Sequence, residues 1–152
     1  MVRYALQLTL LIIAVLYAWR RGGPPEKAVA FILIAMALSG ALYNAVFGLQ
    51  SHESIDWGTL IIDTGAFAAL TAIALREGRL WTILAASAQL VSLLSHLIRA
   101  LHVDMGPLIY AIIIRAPSYL ILALLLLGTA LHHHRSRQSV AAKRRQIRTG
   151  RP

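Results

Sequence analysis

The sequence contains no cysteine and few acidic residues, and both shortages limit what the chain can do. Without cysteine it has no disulfide, no thiolate ligand for zinc and no thiol nucleophile. Only 6 of its 152 residues are Asp or Glu, and charged residues make up 14% of the chain. Hydrophobic residues account for 58%, well above the share in an ordinary soluble domain. This composition favours a membrane protein.

Five apolar segments follow one another, at residues 4–19, 27–49, 57–75, 80–101 and 107–131. A membrane-spanning helix needs about 20 residues, so only the first segment is short. Their apolar runs are continuous, without the alternation that a membrane barrel requires. The sequence therefore predicts an all-α integral membrane bundle of five transmembrane helices over residues 1–131, or of four helices if the first segment does not cross. A cleaved signal peptide is the other interpretation of that segment, but RRGGPP follows it where a cleavage site would lie.

The net charge of +9 is concentrated in three places. Lys and Arg occupy the loops at 20–27 and 76–79 and recur after residue 131, where no acid is present. Because cytoplasmic loops are rich in Lys and Arg, we expect a cytoplasmic C-terminus and an N-terminus outside. Residues 132–152 are predicted to be a disordered, basic cytoplasmic tail that contacts membrane lipids through their anionic headgroups. The charge does not indicate specific nucleic-acid binding, since it follows a hydrophobic body.

A polar stripe runs along the fourth segment, LWTILAASAQLVSLLSHLIRAL. Its residues fall within an arc of about 80° on a helix; they are Gln89, Ser92, His96 and Arg99. Depths counted along the helices place Asn44, Asp63 and Arg115 in the same outer leaflet as His96, within about 12 Å of the surface. The predicted ligand-binding set comprises Asn44, Asp63, Gln89, Ser92, His96, Arg99, Arg115 and Ser118.

A charge deep in a bilayer is costly, so Asp63 should face the interior of the bundle and pair with Arg115. His96 and Arg99 are competing or additional partners for that carboxylate. Such a pair can serve packing alone. If Asp63 instead neutralises one arginine, the other requires an anion, which predicts an outward-facing pocket for a small polar or anionic ligand.

His96 and Asp63 are the candidate catalytic residues, as a base and an acid, because a carboxylate neighbour can bring the pKa of a histidine across neutrality. No second histidine at matching depth is available for a haem, and we expect no cofactor. A serine hydrolase built on Ser92, Ser95 or Ser118 is disfavoured, since intramembrane serines commonly bond back to their own helix. The outer loops contain weak candidate metal ligands without a recognised spacing: His52, Glu53, His102 and Asp104.

Three stretches, WGTLIIDTGAFAALTAIALR, AQLVSLLSHLIRAL and LIYAIIIRAPSY, are similar to those of a group of small uncharacterised bacterial inner-membrane proteins. The resemblance covers about residues 27–131. It implies a bacterial inner-membrane location and carries no activity.

Three functions remain open at the level of sequence. The leading interpretation is non-enzymatic: the chain binds or transports a small polar or anionic ligand, or it is an accessory subunit of a membrane complex. Stripes of small residues on the second segment, at Ala37, Ala41 and Ala45 and at Gly40, Asn44 and Gly48, could bring a membrane partner or a second copy close. The alternative is a small membrane-embedded enzyme that uses His96 and Asp63 on an anionic or lipid substrate.

Overall fold

The computed structural model describes the backbone of residues 2–48, 57–100 and 107–149. Side chains are described over 5–48, 57–96, 98 and 116–138. All the regular structure in these ranges is helical, so the prediction of an all-α chain is confirmed. The five helices are α1 (Val2–Arg21), α2 (Pro24–Phe47), α3 (Trp57–Glu77), α4 (Leu80–Ala100) and α5 (Pro107–Thr149).

Among the residues with described side chains, three stretches of helix are long and apolar enough to cross a membrane: Pro24–Phe47, Trp57–Glu77 and Ala116–Gln138. Helix α4 contributes a shorter apolar stretch, Leu80–His96, within its described side chains. The described part of the chain is thus a helical bundle with three candidate membrane-spanning helices, which is a coarser result than the predicted five spans.

Helix α5 differs from the prediction beyond residue 131. We expected a disordered tail over residues 132–152, but the helix continues from the apolar segment to Thr149. No proline or glycine interrupts residues 132–149, and alanine, arginine and lysine there favour a helix. Basic residues are therefore carried on a helical extension of the last span.

Consecutive helices pack against each other along the whole chain, as short connections require. Helix α1 also contacts α5, which brings the two ends of the bundle together. Small side chains fill the tightest places: Ala14, Ala18, Ala30 and Ala85 are fully buried. At Gly128 of α5, an added Cβ would lie 2.7 Å from the ring of Trp81, so only glycine lets this indole rest on the helix.

The α1–α2 turn and the α3–α4 turn are joined by a half-buried ion pair, which we call the Glu26 clamp. Glu26, at the start of α2, is fully buried, whereas the side chain of Arg79 is one-third exposed. Oε2 of Glu26 accepts a hydrogen bond of 2.9 Å from the backbone N–H of Gly23. Its Oε1 accepts one of 2.9 Å from Nη1 of Arg79. The sequence analysis did not predict this pair, whose residues are 53 positions apart in the chain.

The clamp predicts that replacement of glutamate by glutamine lowers stability more at Glu26 than at Glu77. Glu26→Gln should destabilise the protein by about 1–3 kcal/mol, because Arg79 loses its buried counter-charge. Glu77 is the matched control, since it lies 3.6 Å from Nε of Arg79 but its side chain is one-third exposed. Glu77→Gln should cost less than about 1 kcal/mol. Thermal unfolding in detergent micelles measures the loss of stability in each variant. A loss in Glu26→Gln no larger than that in Glu77→Gln would contradict a stabilising role for the clamp.

Candidate functional site

A cluster of polar side chains joins α3 to α4 inside the bundle. Asp63 of α3 supplies a carboxylate, and Gln89, Ser92 and His96 of α4 surround it. We call these four residues the Asp63 cluster. The three α4 positions are spaced by three and four residues, which puts them on one face of the helix. Three members of the predicted polar stripe therefore meet the predicted acid.

Each oxygen of the carboxylate accepts side-chain hydrogen bonds. Oδ1 of Asp63 accepts from Nε2 of Gln89 at 3.2 Å. Oδ2 accepts from Oγ of Ser92 at 3.2 Å and lies 3.0 Å from Nε2 of His96. Gln89 also reaches the main-chain oxygen of Asp63 at 3.5 Å. An ionised carboxylate accepts hydrogen bonds only, so this arrangement suits a negative charge.

Burial makes these contacts energetically important. Asp63, Gln89 and His96 are buried, and Ser92 is half-buried. Hydrogen bonds to charged groups contribute about 1.5–3 kcal/mol, and a buried donor left without its acceptor costs a similar amount. The cluster therefore ties α3 to α4 and fixes the orientation of the imidazole.

The contact between His96 and Asp63 is compatible with three arrangements of protons. If the imidazole is protonated, the pair is an ion pair between the ring and the carboxylate. If the imidazole is neutral, its Nε2–H donates to the same oxygen, or the ring accepts from a protonated carboxyl group. At 3.0 Å a proton can pass between Nε2 and Oδ2 without movement of either helix.

The cluster lies toward one end of the α3–α4 hairpin, opposite the Glu26 clamp. Asp63 is about 9 Å along α3 from its start at Trp57. His96 lies in the last turns of α4, which ends at Ala100. Because α3 and α4 are antiparallel neighbours, these two positions meet at the same level.

Other predicted ligand residues do not join the cluster, or lie outside the described side chains. Asn44 is exposed on α2, and Ser118 of α5 is half-buried without a described hydrogen bond to Asp63. The side chains of Arg99 and Arg115 are not among those described, so pairing of Asp63 with Arg115 stays a prediction. Among the described side chains, those in contact with the carboxylate of Asp63 are the neutral donors Gln89 and Ser92 together with His96.

A serine nucleophile and a metal site are the other chemistries that the sequence raises. Ser95 donates 2.6 Å to the main-chain oxygen of Ser92, so it bonds back within α4 as expected of an intramembrane serine. The metal candidates His52, Glu53, His102 and Asp104 lie outside the described residues. Among the residues that are described, no three His, Asp or Glu side chains converge as metal ligands would.

Two clefts on the surface of the bundle are lined by described residues, and neither of these two is lined by Asp63 or His96. One, of about 250 Å³, lies between α2 and α3 and is almost wholly apolar, with Phe31, Met36 and Ile61 in its lining. The other, of about 440 Å³, lies between α4 and α5 near the Glu26 clamp and includes Arg79 and Arg135. Sequence reasoning identified neither, because each forms between helices whose relative rotation the sequence does not specify.

Comparison with known proteins assigns no relative to the chain: no protein-family model, curated protein or solved structure matches it. Its function has to be argued from the geometry above.

The cluster predicts that two serines of α4 respond differently to the same change. Ser92→Ala removes a hydrogen bond between helices to a buried carboxylate and should destabilise the protein by about 1–2 kcal/mol. Ser87 is the matched control, because it is exposed and donates 3.0 Å to Ile83 of its own helix. Ser87→Ala should leave the free energy of unfolding within about 0.5 kcal/mol. Thermal unfolding in micelles separates the two, and a neutral Ser92→Ala would contradict the assigned contact.

Proposed function

We propose that the chain is a five-span membrane protein in which the Asp63 cluster takes up and releases a proton as a small polar solute is bound or moved. The resemblance of its apolar segments to those of small bacterial inner-membrane proteins favours an inner-membrane location. The distribution of Lys and Arg favours a C-terminus in the cytoplasm and an N-terminus outside. The observation that supports this proposal best is the contact of 3.0 Å between His96 and Asp63, both buried, between two apolar helices.

The physical reason is the cost of ionisable groups at this depth. A charge near the middle of a membrane helix costs at least about 2.5–3.5 kcal/mol, and such residues commonly mark proton or solute pathways. A tie between helices needs only neutral polar groups, such as Gln89 with a second amide. The cluster instead combines the two side-chain types that exchange protons near neutral pH when their environments favour it.

The enzyme alternative uses the same pair, with His96 and Asp63 acting as base and acid on an anionic or lipid substrate. It requires an opening beside His96, and the two described clefts are lined by other residues.

The proposal predicts a change of protonation at the Asp63 cluster. Infrared difference spectra of the protein in lipid films, recorded across a range of pH, should contain a band that reports proton uptake by the pair of His96 and Asp63. Asp63→Asn should remove that band. His96→Gln keeps a hydrogen-bond donor but cannot take up a proton, so it should also weaken the band.

Glu77→Gln is the control for this measurement, because Glu77 is an exposed acid at the other end of the hairpin. It should leave the band in place. If Asp63→Asn gives the same difference spectra as the unaltered protein, Asp63 keeps one protonation state over this range and the proposal is wrong.

A second candidate, an accessory subunit, is favoured by the outer half of α2. All the buried residues of this helix lie in its first half, ending at Leu33. Beyond it, Ala37, Ala41 and Ala45 form an exposed stripe of small residues with the polar Asn44 beside it. Small residues and a polar amide are typical of helix contacts within membranes. This half of α2 therefore suits a partner helix, from another membrane protein or a second copy.

Because the chain has no cysteine, single-cysteine cross-linking can test that face directly. Ala41→Cys should give a cross-linked product of higher mass in native membranes with a short thiol-reactive linker. Leu75→Cys, at an exposed position near the end of α3, is the control and should not. Equal yields at the two positions would mean that the contacts are random collisions and that α2 has no dedicated partner.

A further inference from the structure

We propose that the cleft between α4 and α5 is a binding site for one anionic phospholipid, with the phosphate at Arg79, His132 and Arg135. This cleft is at the opposite end of the hairpin from the Asp63 cluster, and the inference does not depend on proton uptake there. Its volume is about 440 Å³.

The lining of the cleft divides into a cationic end and an apolar wall. Arg79 and Arg135 supply two guanidinium groups, and His132 adds an imidazole that also lies against Gly23 of the α1–α2 turn. Trp81, Leu84 and Leu127 belong to the apolar wall. A phospholipid has the same division, since a charged phosphate is attached to hydrocarbon chains.

The charges at this end favour an anion over a zwitterion. Glu26, at 2.9 Å, and the more exposed Glu77, at 3.6 Å, offset the charge of Arg79. The positive charge left for an anion therefore comes mainly from Arg135, which is exposed and has no described acidic partner. Arg79 uses Nη1 toward Glu26 and Nε toward Glu77. A guanidinium carries five N–H donors, so Arg79 can hold Glu26 and still donate to a phosphate oxygen. The clamp thus orients one of the phosphate ligands.

The apolar wall selects a lipid over a free phosphate ion. Trp81 is buried and its ring lies on the backbone of α5 at Gly128, which makes a rigid floor. Leu84 and Leu127 extend the wall away from the cations, toward the middle of the bundle. Hydrocarbon chains would cover these side chains, while inorganic phosphate would leave them bare.

Trp81 provides a reporter inside the proposed site. The chain has three tryptophans, and Trp19 and Trp57 are both exposed, so Trp19→Phe and Trp57→Phe leave Trp81 alone. This protein is reconstituted in phosphatidylcholine vesicles that contain a small fraction of brominated phosphatidylglycerol or brominated phosphatidylcholine. Bromine on the acyl chains quenches a nearby indole. We compare the mole fractions of the two brominated lipids that give half of the maximal quenching of Trp81. This fraction should be about tenfold lower for the anionic lipid, because one charge-assisted hydrogen bond to the phosphate contributes about that factor.

Two arginines that lie two residues apart on α5, Arg135 and Arg137, supply the matched comparison. Arg135 lines the cleft and Arg137 does not, although both are exposed on α5 and each change removes one positive charge. Arg135→Gln should abolish most of the preference for phosphatidylglycerol, about tenfold, whereas Arg137→Gln should change it by less than about twofold. Both residues are exposed, so neither change should prevent folding, and native mass spectrometry of the purified variants gives an independent count of retained lipid.

Three results would overturn the proposal. Equal quenching by the two brominated lipids would mean that ordinary annular lipid touches Trp81. Equal losses in Arg135→Gln and Arg137→Gln would assign the preference to the general surface charge. If inorganic phosphate relieves the quenching and the mass spectrum contains no protein with bound lipid, the cleft is a phosphate site and not a lipid site.

Discussion

The structure depends on how a carboxylate is accommodated among apolar helices. An unpaired carboxylate in the bundle would be costly, so α3 can carry Asp63 only where another helix supplies donors. Helix α4 does so with Gln89, Ser92 and His96, all directed at the two oxygens of one side chain. This requirement fixes the rotation of α4 about its axis and its level relative to α3. The rest of α4, including Trp81 and its contact with Gly128, is positioned as a consequence.

The two ends of the α3–α4 hairpin use opposite chemistry. At one end a single acid is surrounded by donors that include one titratable ring. At the other end Arg79 is held by Glu26, and the neighbouring side chains of the cleft are cationic. A half-buried ion pair is weak evidence for stability by itself, because desolvation offsets much of its attraction. Its contribution here is positional, since it joins two turns that belong to different helix pairs.

Much of the Asp63 cluster could be predicted from the sequence. Helical spacing identified the stripe at Gln89, Ser92 and His96, and counting along the helices placed Asp63 at the same depth. The short α3–α4 connection adds a further constraint, because Asp63 and Ser92 lie nearly the same number of residues from Gly78. In an antiparallel hairpin such positions face each other. Applied to the sequence, this count would have favoured α4 as the source of donors over Arg115 of α5.

The Glu26 clamp could not be found in this way. It depends on a lateral contact between two turns that are far apart in the chain, and periodicity within a helix carries no information about such a contact. Helix α5 continues past residue 131, where the apolar segment ends, to Thr149. Arginine and alanine are good helix formers, and a helix already begun inside the membrane extends outward at little cost.

The Asp63 cluster and the cleft at Arg79 and Arg135 lie at opposite ends of the α3–α4 hairpin, and this separation has a mechanical consequence. If protonation of His96 or Asp63 changes the contact between α3 and α4, the movement is resisted at the far end by the Glu26 clamp, which holds the α3–α4 turn against α2. The clamp thus makes the α3–α4 turn a fixed end of the hairpin. A lipid bound at Arg79 and Arg135 would tie the same turn to α5. The proposed proton site and the proposed lipid site therefore lie at opposite ends of one hairpin, and each depends on a different contact between its helices.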